Sequence, residues 1–134
     1  MMHMKGNPLT MQNKPNYNNV MSELKEFFNT KIKNLNNKGF NKIIIDPGFG
    51  FGKTIDNNYT ILKNLIQFKE FNLPILIGAS RKSMIYNILN KKAETSLNGT
   101  SIINTIGLLN GANILRVHDV EEAMECIKIT NTLK

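Results

Sequence analysis

The chain has 134 residues, of which 41% are hydrophobic and 20% charged, with a formal net charge of +7. This length suits a single domain, and the composition is that of a globular protein rather than a disordered chain. The sequence contains no run of about 18 apolar residues, so we expect no membrane-spanning helix. The first twelve residues lack the apolar stretch of a signal peptide, and the single cysteine, Cys126, excludes an internal disulfide. We therefore expect a cytoplasmic protein.

The positive charge comes mainly from lysine, which outnumbers arginine 15 to 2. Lysine shares A/T-rich codons with asparagine and isoleucine, which are also abundant here, so codon bias explains the charge about as well as selection does. The lysines are scattered and are not interleaved with arginine and aromatic residues. This pattern argues against a nucleic-acid surface, and we expect neither nucleic acid nor a membrane as a partner.

Helical and strand-like segments alternate along the chain. In chain order they are a helix at 20–35, a strand at 43–45, a helix at 59–66, a strand at 74–77, helices at 83–89 and 99–110, a strand at 114–117 and a last helix after residue 119. The helices are predicted from apolar residues at helical spacing. Gly39 is expected to end the first of them, and Asp119 with Glu122 resembles a capping box at the start of the last.

The three predicted strands are short, β-branched and not alternating in polarity. Runs of this kind are typical of strands buried on both faces of a parallel sheet. Successive strands begin about one βαβ unit apart. The alternation therefore predicts an α/β fold built on a parallel sheet.

The loop DPGFGFGKT, residues 46–54, follows the first predicted strand. A P-loop requires a glycine five positions before Gly52, where this chain has Pro47, and a dinucleotide-binding pattern requires a glycine in place of Lys53. Both nucleotide interpretations are therefore disfavoured. An aspartate at a strand end, followed by glycines, allows the backbone to approach a ligand closely. The alternative without a function is that Asp46 caps a tight turn.

The segment GASRKS, residues 78–83, follows the second predicted strand. Its small first residues leave space, and Ser80 is expected to begin a helix that carries Arg81 and Lys82. Backbone N–H groups, a hydroxyl and a lysine at such a position suit an anion or a carbonyl group. The alternative is that Ser80 is only an N-cap and that both cations are solvated.

The segment RVHD, residues 116–119, ends the third predicted strand. Strand alternation places Arg116 and His118 on the same face. Because an unpaired charge is costly in an apolar strand, Arg116 should face a ligand or a carboxylate, and the pair favours an anion site. Asp119 is expected to cap the helix that follows. Three successive strands thus carry polar residues at their carboxyl ends, where a (β/α)8 barrel forms its active site.

Four segments, in this order, resemble the dihydropteroate synthase family of pterin-binding TIM barrels. They are MHMKGNPLTMQ (2–12), DPGFGFGKT (46–54), GASRKSMI (78–85) and ILRVHDVEE (114–122). The resemblance covers essentially the whole chain. It implies an α/β fold of the TIM (β/α)8 class, of which this chain has only the C-terminal part, from the end of strand 5 through helix 8. It implies one partial domain over residues 1–134, with the N-terminal half of the barrel absent.

The family joins 6-hydroxymethyl-7,8-dihydropterin diphosphate to p-aminobenzoate in folate synthesis and releases diphosphate. By this resemblance, Asp46 accepts N–H bonds from the amino-pyrimidine edge of the pterin and balances the positive charge that develops on the methylene. Lys82 donates to the carbonyl and ring nitrogen of the pterin. Arg116 and His118 hold the leaving diphosphate.

The resemblance also implies residues that bind substrate. Met2 and Gly78 line the pterin slot, Phe51 lines the passage between the two substrates, and Ser83 meets the carboxylate of p-aminobenzoate. Mg²⁺ is the implied cofactor, but the asparagine that binds it lies in the missing N-terminal half, so we expect no metal ligand in this chain. The full-length protein is expected to form a homodimer.

The short length, compared with the roughly 250 residues typical of a TIM barrel, predicts that the chain is catalytic only when the other half is supplied. Two alternatives stay open from the sequence. One is a P-loop-like phosphate- or nucleotide-binding protein built on the Gly-Lys-Thr loop. The other is an inactive α/β remnant.

Overall fold

The computed structural model describes residues 1–6 and 15–133. The helices and strands are, in order, α1 (Val20–Asn37), α2 (Ile55–Lys63), β1 (Leu76–Ile77), α3 (Ser83–Tyr86), α4 (Leu97–Leu109), β2 (Ile114–Leu115) and α5 (Val120–Asn131). Two 3-10 helices lie at Leu65–Phe71 and Ala93–Thr95. Residues 7–12 of the first segment of family resemblance lie outside the described residues.

The first helix forms where the spacing of apolar residues predicts it. The Asn19 side chain accepts a hydrogen bond from the Ser22 N–H at 3.0 Å and so caps α1. Leu24 and Phe28 are fully buried on its inner face. Gly39, with a φ of +83°, follows the helix in a conformation that favours glycine, as predicted.

Two other helices differ markedly from their predicted bounds, whereas α4 begins two residues and ends one residue earlier than predicted. The second begins at Ile55 rather than near Tyr59, because the Thr54 hydroxyl accepts from the Asn57 N–H at 3.1 Å and starts the helix earlier. From Leu65 the chain continues as a 3-10 helix. The helix predicted over 83–89 is a single turn, α3, since its regular pattern ends at Tyr86.

The second and third predicted strands form β1 and β2 and pair in parallel, as predicted, whereas the first, at 43–45, is present only as isolated bridge residues. Leu76 is opposite Ile114 and Ile77 is opposite Leu115 in the register of β1 and β2. Two isolated parallel bridges, Met2 with Asp46 and Ile45 with Ile75, extend this ladder. The spatial order is therefore 1–3, 44–46, 75–77 and 114–116, and all four segments end at the same edge of the sheet.

One face of this ladder packs against helices. Ile45, Ile75 and Ile77 are fully buried, and Gly107 of α4 lies so close that a Cβ there would be 2.2 Å from Ile77 Cδ1. Ile44, whose neighbour Ile45 points into this core, is 41% exposed. The prediction of strands buried on both faces is wrong for the described residues, since Leu76, Ile114 and Leu115 are only half-buried. No helix of the described ranges is long and apolar enough to cross a membrane.

Candidate active site

Asp46 occupies the carboxyl end of the second strand segment and is only 6% exposed. Its backbone is held in the ladder, where its N–H donates to the Met1 carbonyl at 2.8 Å. One carboxylate oxygen accepts from the Gly48 N–H at 2.8 Å. The other lies 3.8 Å from a guanidinium nitrogen of Arg116. Asp46 thus caps its turn and also directs an oxygen towards a cation, so the two interpretations from the sequence are compatible.

The glycine-rich loop that follows is fixed from beneath by Lys53. This buried amine donates to the carbonyls of Gly48 at 2.9 Å and Phe51 at 3.0 Å, and lies 3.0 Å from His3 Nδ1. Burial lowers the pKa of Lys53 to about 7; the charge of Asp46 opposes that shift and the charge of Lys82 adds to it. Because Lys53 points into the protein, the geometry does not support the P-loop alternative, in which this amine reaches a phosphate.

His3, which the sequence left without a role, lies under the same loop. His3 is 7% exposed, and its ring packs edge-on against Phe27, with 4.9 Å between ring centroids. Burial, followed by the charge of Lys53, lowers the pKa of His3 to about 4. His3 therefore packs below the glycine-rich loop and contacts the amine of Lys53, which holds that loop.

Lys82 reaches across from the segment after β1 to the same loop. Its amine donates to the Phe49 carbonyl and lies 4.4 Å from the centroid of the Phe51 ring. Burial lowers the pKa of Lys82 to about 8; the nearby Arg116 charge adds to this effect and Asp46 opposes it. The loop and the lysine together make a cationic position next to an aromatic ring.

Arg116 stands over Gly78, the residue that follows β1. A Cβ at Gly78 would lie 2.8 Å from a terminal nitrogen of the Arg116 guanidinium, so the glycine leaves the space that this side chain fills. The guanidinium side chain is 55% exposed and faces Asp46. An arginine within an apolar strand is tolerated here because it is open to solvent and has a carboxylate nearby.

Ser80 contacts His118 rather than capping a helix. The Ser80 hydroxyl lies 2.9 Å from His118 Nδ1 and accepts from the His118 backbone N–H at 3.3 Å. The expectation that Ser80 begins a helix is wrong. The N-cap position of α3 is Lys82, whose side chain makes no cap bond, and the helix starts at Ser83.

Arg81 and Asp119 form an ion pair between the two loops. Arg81 Nε donates to an Asp119 carboxylate oxygen at 2.9 Å, and a terminal nitrogen bonds the other oxygen. The hydrogen bond from Arg81 lowers the pKa of Asp119. The alternative in which Arg81 is only a solvated cation is wrong, because its guanidinium is paired with Asp119. Asp119 stands at the N-cap position of α5 but makes no cap bond, because its carboxylate is committed to the arginine.

A groove of about 370 Å³ opens beside this loop junction. Its lining includes Phe51, Lys82 and Ser83. Ser83 is the exposed first residue of α3, while Met2 lies next to Asp46 through their backbone bridge. The structure therefore places Phe51, Lys82 and Ser83 at one groove, with Asp46 and Arg116 at the adjoining strand ends.

The structure adds residues that sequence reasoning did not assign. Ser80, Arg81 and Lys53 position neighbouring groups, and each has a contact with a segment far away in the chain, at His118, Asp119 and His3. A signal for one of them was present. In a chain that uses lysine 15 times, its two arginines, at 81 and 116, mark positions where planar, forked guanidinium geometry is used.

The described residues do not make a metal centre. Among residues 1–6 and 15–133, no group of three or more histidine, cysteine or acidic side chains is arranged to hold a metal ion. The carboxylate of Asp46 already faces the Gly48 N–H and Arg116. The residues present therefore do not fit a Mg²⁺ site of their own.

Polar and charged side chains from successive parallel strands meet at one edge of the sheet, where a (β/α)8-barrel enzyme carries its active site. The fold and the site define part of such a barrel, which confirms the predicted fold class. The chain belongs to the family described as pterin binding enzyme, whose model matches residues 1–118.

Named relatives agree with the resemblance seen in the four sequence segments. The dihydropteroate synthase of Escherichia coli strain K12 is 44% identical over 131 residues, which cover 96% of this chain and 46% of that protein. A Yersinia pestis dihydropteroate synthase, solved with a sulfonamide drug complex, superposes with a TM-score of 0.96 at 40% identity, covering 98% of this chain and 49% of that one. A Thermus thermophilus dihydropteroate synthase in complex with 4-aminobenzoate superposes with a TM-score of 0.92 at 30% identity, covering 98% and 55%. The chain thus spans about half the length of the curated relatives it matches.

Proposed function

We propose that this chain supplies the C-terminal part of a dihydropteroate synthase active site, within one partial domain over residues 1–134. The observation that carries the proposal is the convergence of Asp46, Lys82 and Arg116 at one edge of the parallel sheet. A buried carboxylate between two cations suits a reaction in which a cation-like carbon forms as an anion leaves.

The pterin would lie against Asp46 and Lys82. The carboxylate of Asp46 accepts N–H bonds from the amino-pyrimidine edge, and Lys82 donates to the ring carbonyl and nitrogen. Met2 borders this position through its backbone bridge to Asp46, and Gly78 leaves room for the Arg116 side chain beside it. Resemblance to the family and this arrangement support the same assignment.

The leaving diphosphate would lie against Arg116 and His118. Both follow β2, and the Arg116 side chain is largely open to a ligand. As the carbon–oxygen bond to diphosphate breaks, negative charge grows on the leaving oxygen, and a guanidinium is suited to receive it.

The p-aminobenzoate would occupy the groove between Phe51 and Ser83. The Phe51 ring borders the passage, and the Ser83 hydroxyl is exposed at the groove to meet the carboxylate. The aromatic amine attacks the methylene, a carbon–nitrogen bond forms, and the amine loses a proton. Placement and electrostatics carry this step, so no covalent nucleophile is needed.

The finer assignments belong to the whole protein. On the resemblance to the family, we place the asparagine that binds Mg²⁺ in the part of the barrel that this chain does not match. We also propose a cytoplasmic homodimer, on the resemblance to the family. None of these assignments changes the roles given to the residues of this chain.

A chimera tests the proposed function. This chain replaces the half of the Yersinia pestis synthase on which it superposes, and the fusion is introduced into a strain that lacks its own synthase. Growth without folate products is the expected result, and Asp46→Asn or Lys82→Gln should abolish it. The matched controls Asp56→Asn and Lys91→Gln change exposed residues outside the site and should grow. Rescue by Asp46→Asn or Lys82→Gln would refute the site, and failure of the stable parent chimera would favour an inactive remnant.

A further inference from the structure

The contact between Ser80 and His118 constrains where protons can be. Ser80 is 4% exposed, so its hydroxyl must find partners within the protein. Its oxygen accepts from the His118 backbone N–H at 3.3 Å, and the same oxygen lies 2.9 Å from His118 Nδ1. A backbone amide can only donate, which fixes the direction of the first bond.

The second bond then has one direction that satisfies every group. Within the described part of the chain, the Ser80 hydroxyl has no acceptor other than His118 Nδ1. If neutral His118 carried its proton on Nδ1, the hydroxyl hydrogen of Ser80 would be buried without an acceptor, which is unfavourable. The hydroxyl therefore donates to Nδ1, and the proton of the neutral ring is on Nε2.

The loops that carry these residues are tied together one position further along. Arg81 follows Ser80 and Asp119 follows His118, and the arginine fork bonds both carboxylate oxygens. The Arg81 backbone N–H also donates to the Thr100 hydroxyl at 3.1 Å. The ion pair between Arg81 and Asp119 is thus a second link between the two loops, and it holds the Ser80 hydroxyl and the His118 imidazole next to each other.

We infer that Ser80 is a positioning residue that holds neutral His118 in the Nε2–H tautomer, so that an N–H donor faces outward from the strand ends. Given the proposed function, that donor faces the diphosphate leaving group beside Arg116. His118 is exposed, and in the described ranges no residue bonds Nε2, so the donor is open to an anion. Ser80 acts through His118 and does not itself touch substrate.

Nitrogen NMR of the two histidines tests this inference on the whole chain. Histidine labelled with ¹⁵N reports, in alkaline buffer, which ring nitrogen carries the proton. The expected result is a protonated Nε2 and a bare Nδ1 for His118. In Ser80→Ala the Nδ1 loses its donor, so both nitrogens should shift towards a mixture of tautomers. A protonated Nδ1 in the unsubstituted chain would overturn the inference whether or not the variant folds.

Two controls separate a local from a general effect. Ser101→Ala removes a hydroxyl from α4 that, among the described residues, bonds only the Leu97 carbonyl, and it should leave His118 unchanged. His3 provides an internal reference that neither variant should move. An equal response of His118 to both substitutions would also overturn the role of Ser80.

Titration with inorganic diphosphate separates this inference from the proposed function. Ser80→Ala is expected to raise about tenfold the Kd for diphosphate, as measured from the shift of the His118 Nε2 resonance. If the tautomer is as expected and diphosphate moves no His118 signal, the assignment of His118 to the leaving group fails while the assignment of Ser80 stands. If the tautomer is reversed, the assignment of Ser80 fails whatever diphosphate does.

Discussion

Gly78→Ala should reduce catalysis while leaving the fold nearly intact. The added Cβ would lie 2.8 Å from one guanidinium nitrogen of Arg116 and 2.9 Å from Nε. Ordinary contact begins near 3.4 Å, so the guanidinium must move by at least about 0.6 Å away from its place facing Asp46. The atoms in the way belong to the end of a flexible, half-exposed side chain, so the stability change should stay within about 1 kcal/mol.

The catalytic effect should be much larger than the effect on stability. A hydrogen bond to a charged group contributes about 1.5–3 kcal/mol, so misplacing Arg116 should lower kcat/KM of the chimera about tenfold to a hundredfold. Gly107→Ala is the matched control. Its Cβ would meet Ile77 Cδ1 in the core at 2.2 Å, so it should cost about 1–3 kcal/mol of stability and spare kcat/KM per folded molecule.

Chemical denaturation and steady-state kinetics on the same preparations measure both effects. The reasoning is refuted if Gly78→Ala keeps the parent kcat/KM, because Arg116 would then not depend on the space above the glycine. It is refuted equally if Gly78→Ala unfolds the chain, since the displaced atoms would then have no room to move.

The remaining predictions concern the glycine-rich loop. Gly48→Ala should lower the free energy of unfolding by more than about 4 kcal/mol, because its Cβ would lie 1.9 Å from the His3 carbonyl oxygen. In the control Gly39→Ala the Cβ has nothing within 4 Å, so the loss should be only about 1–2 kcal/mol, which comes from the positive φ. Equal losses for the two variants in chemical denaturation would contradict this. The free energy of unfolding should rise with pH from about 7 to about 10, by up to about 1.4 kcal/mol per pH unit. In this range Lys53 has released its proton in the folded state, whereas in the unfolded state it has its ordinary pKa and binds the proton again. Lys53→Met should remove that part of the rise and leave the smaller part due to Lys82, and an unchanged slope would show that the amine is not buried.

The positions of residues relative to the predicted strand ends were enough to predict much of the site from the sequence. The positions of Asp46 and Arg116 follow from two facts, namely that parallel strands end at one edge and that a buried charge needs a partner. Local spacing was also sufficient for α1, where a cap, an apolar stripe and a following glycine agree. These features depend on short-range pattern or on general chain geometry.

The misassigned residues depended on contacts between distant segments. Ser80 and Asp119 each have the residue type and place of a helix cap, so local sequence favours capping. In the structure their side chains instead bond His118 and Arg81, about one βαβ unit away in the chain. Arg81 has a φ of +54°, an uncommon conformation that such tertiary bonds hold and that its residue type does not predict.

The most direct test of the central claim is the turnover of the purified chimera. Supplied with the dihydropterin diphosphate and p-aminobenzoate, it should form dihydropteroate and release one diphosphate per product. Asp46→Asn should lower kcat at least about a hundredfold, because a neutral amide no longer balances the developing positive charge, while Asp56→Asn should match the parent. A chimera in which Asp46→Asn turns over as fast as the parent would contradict the claim that this chain carries the pterin-binding carboxylate.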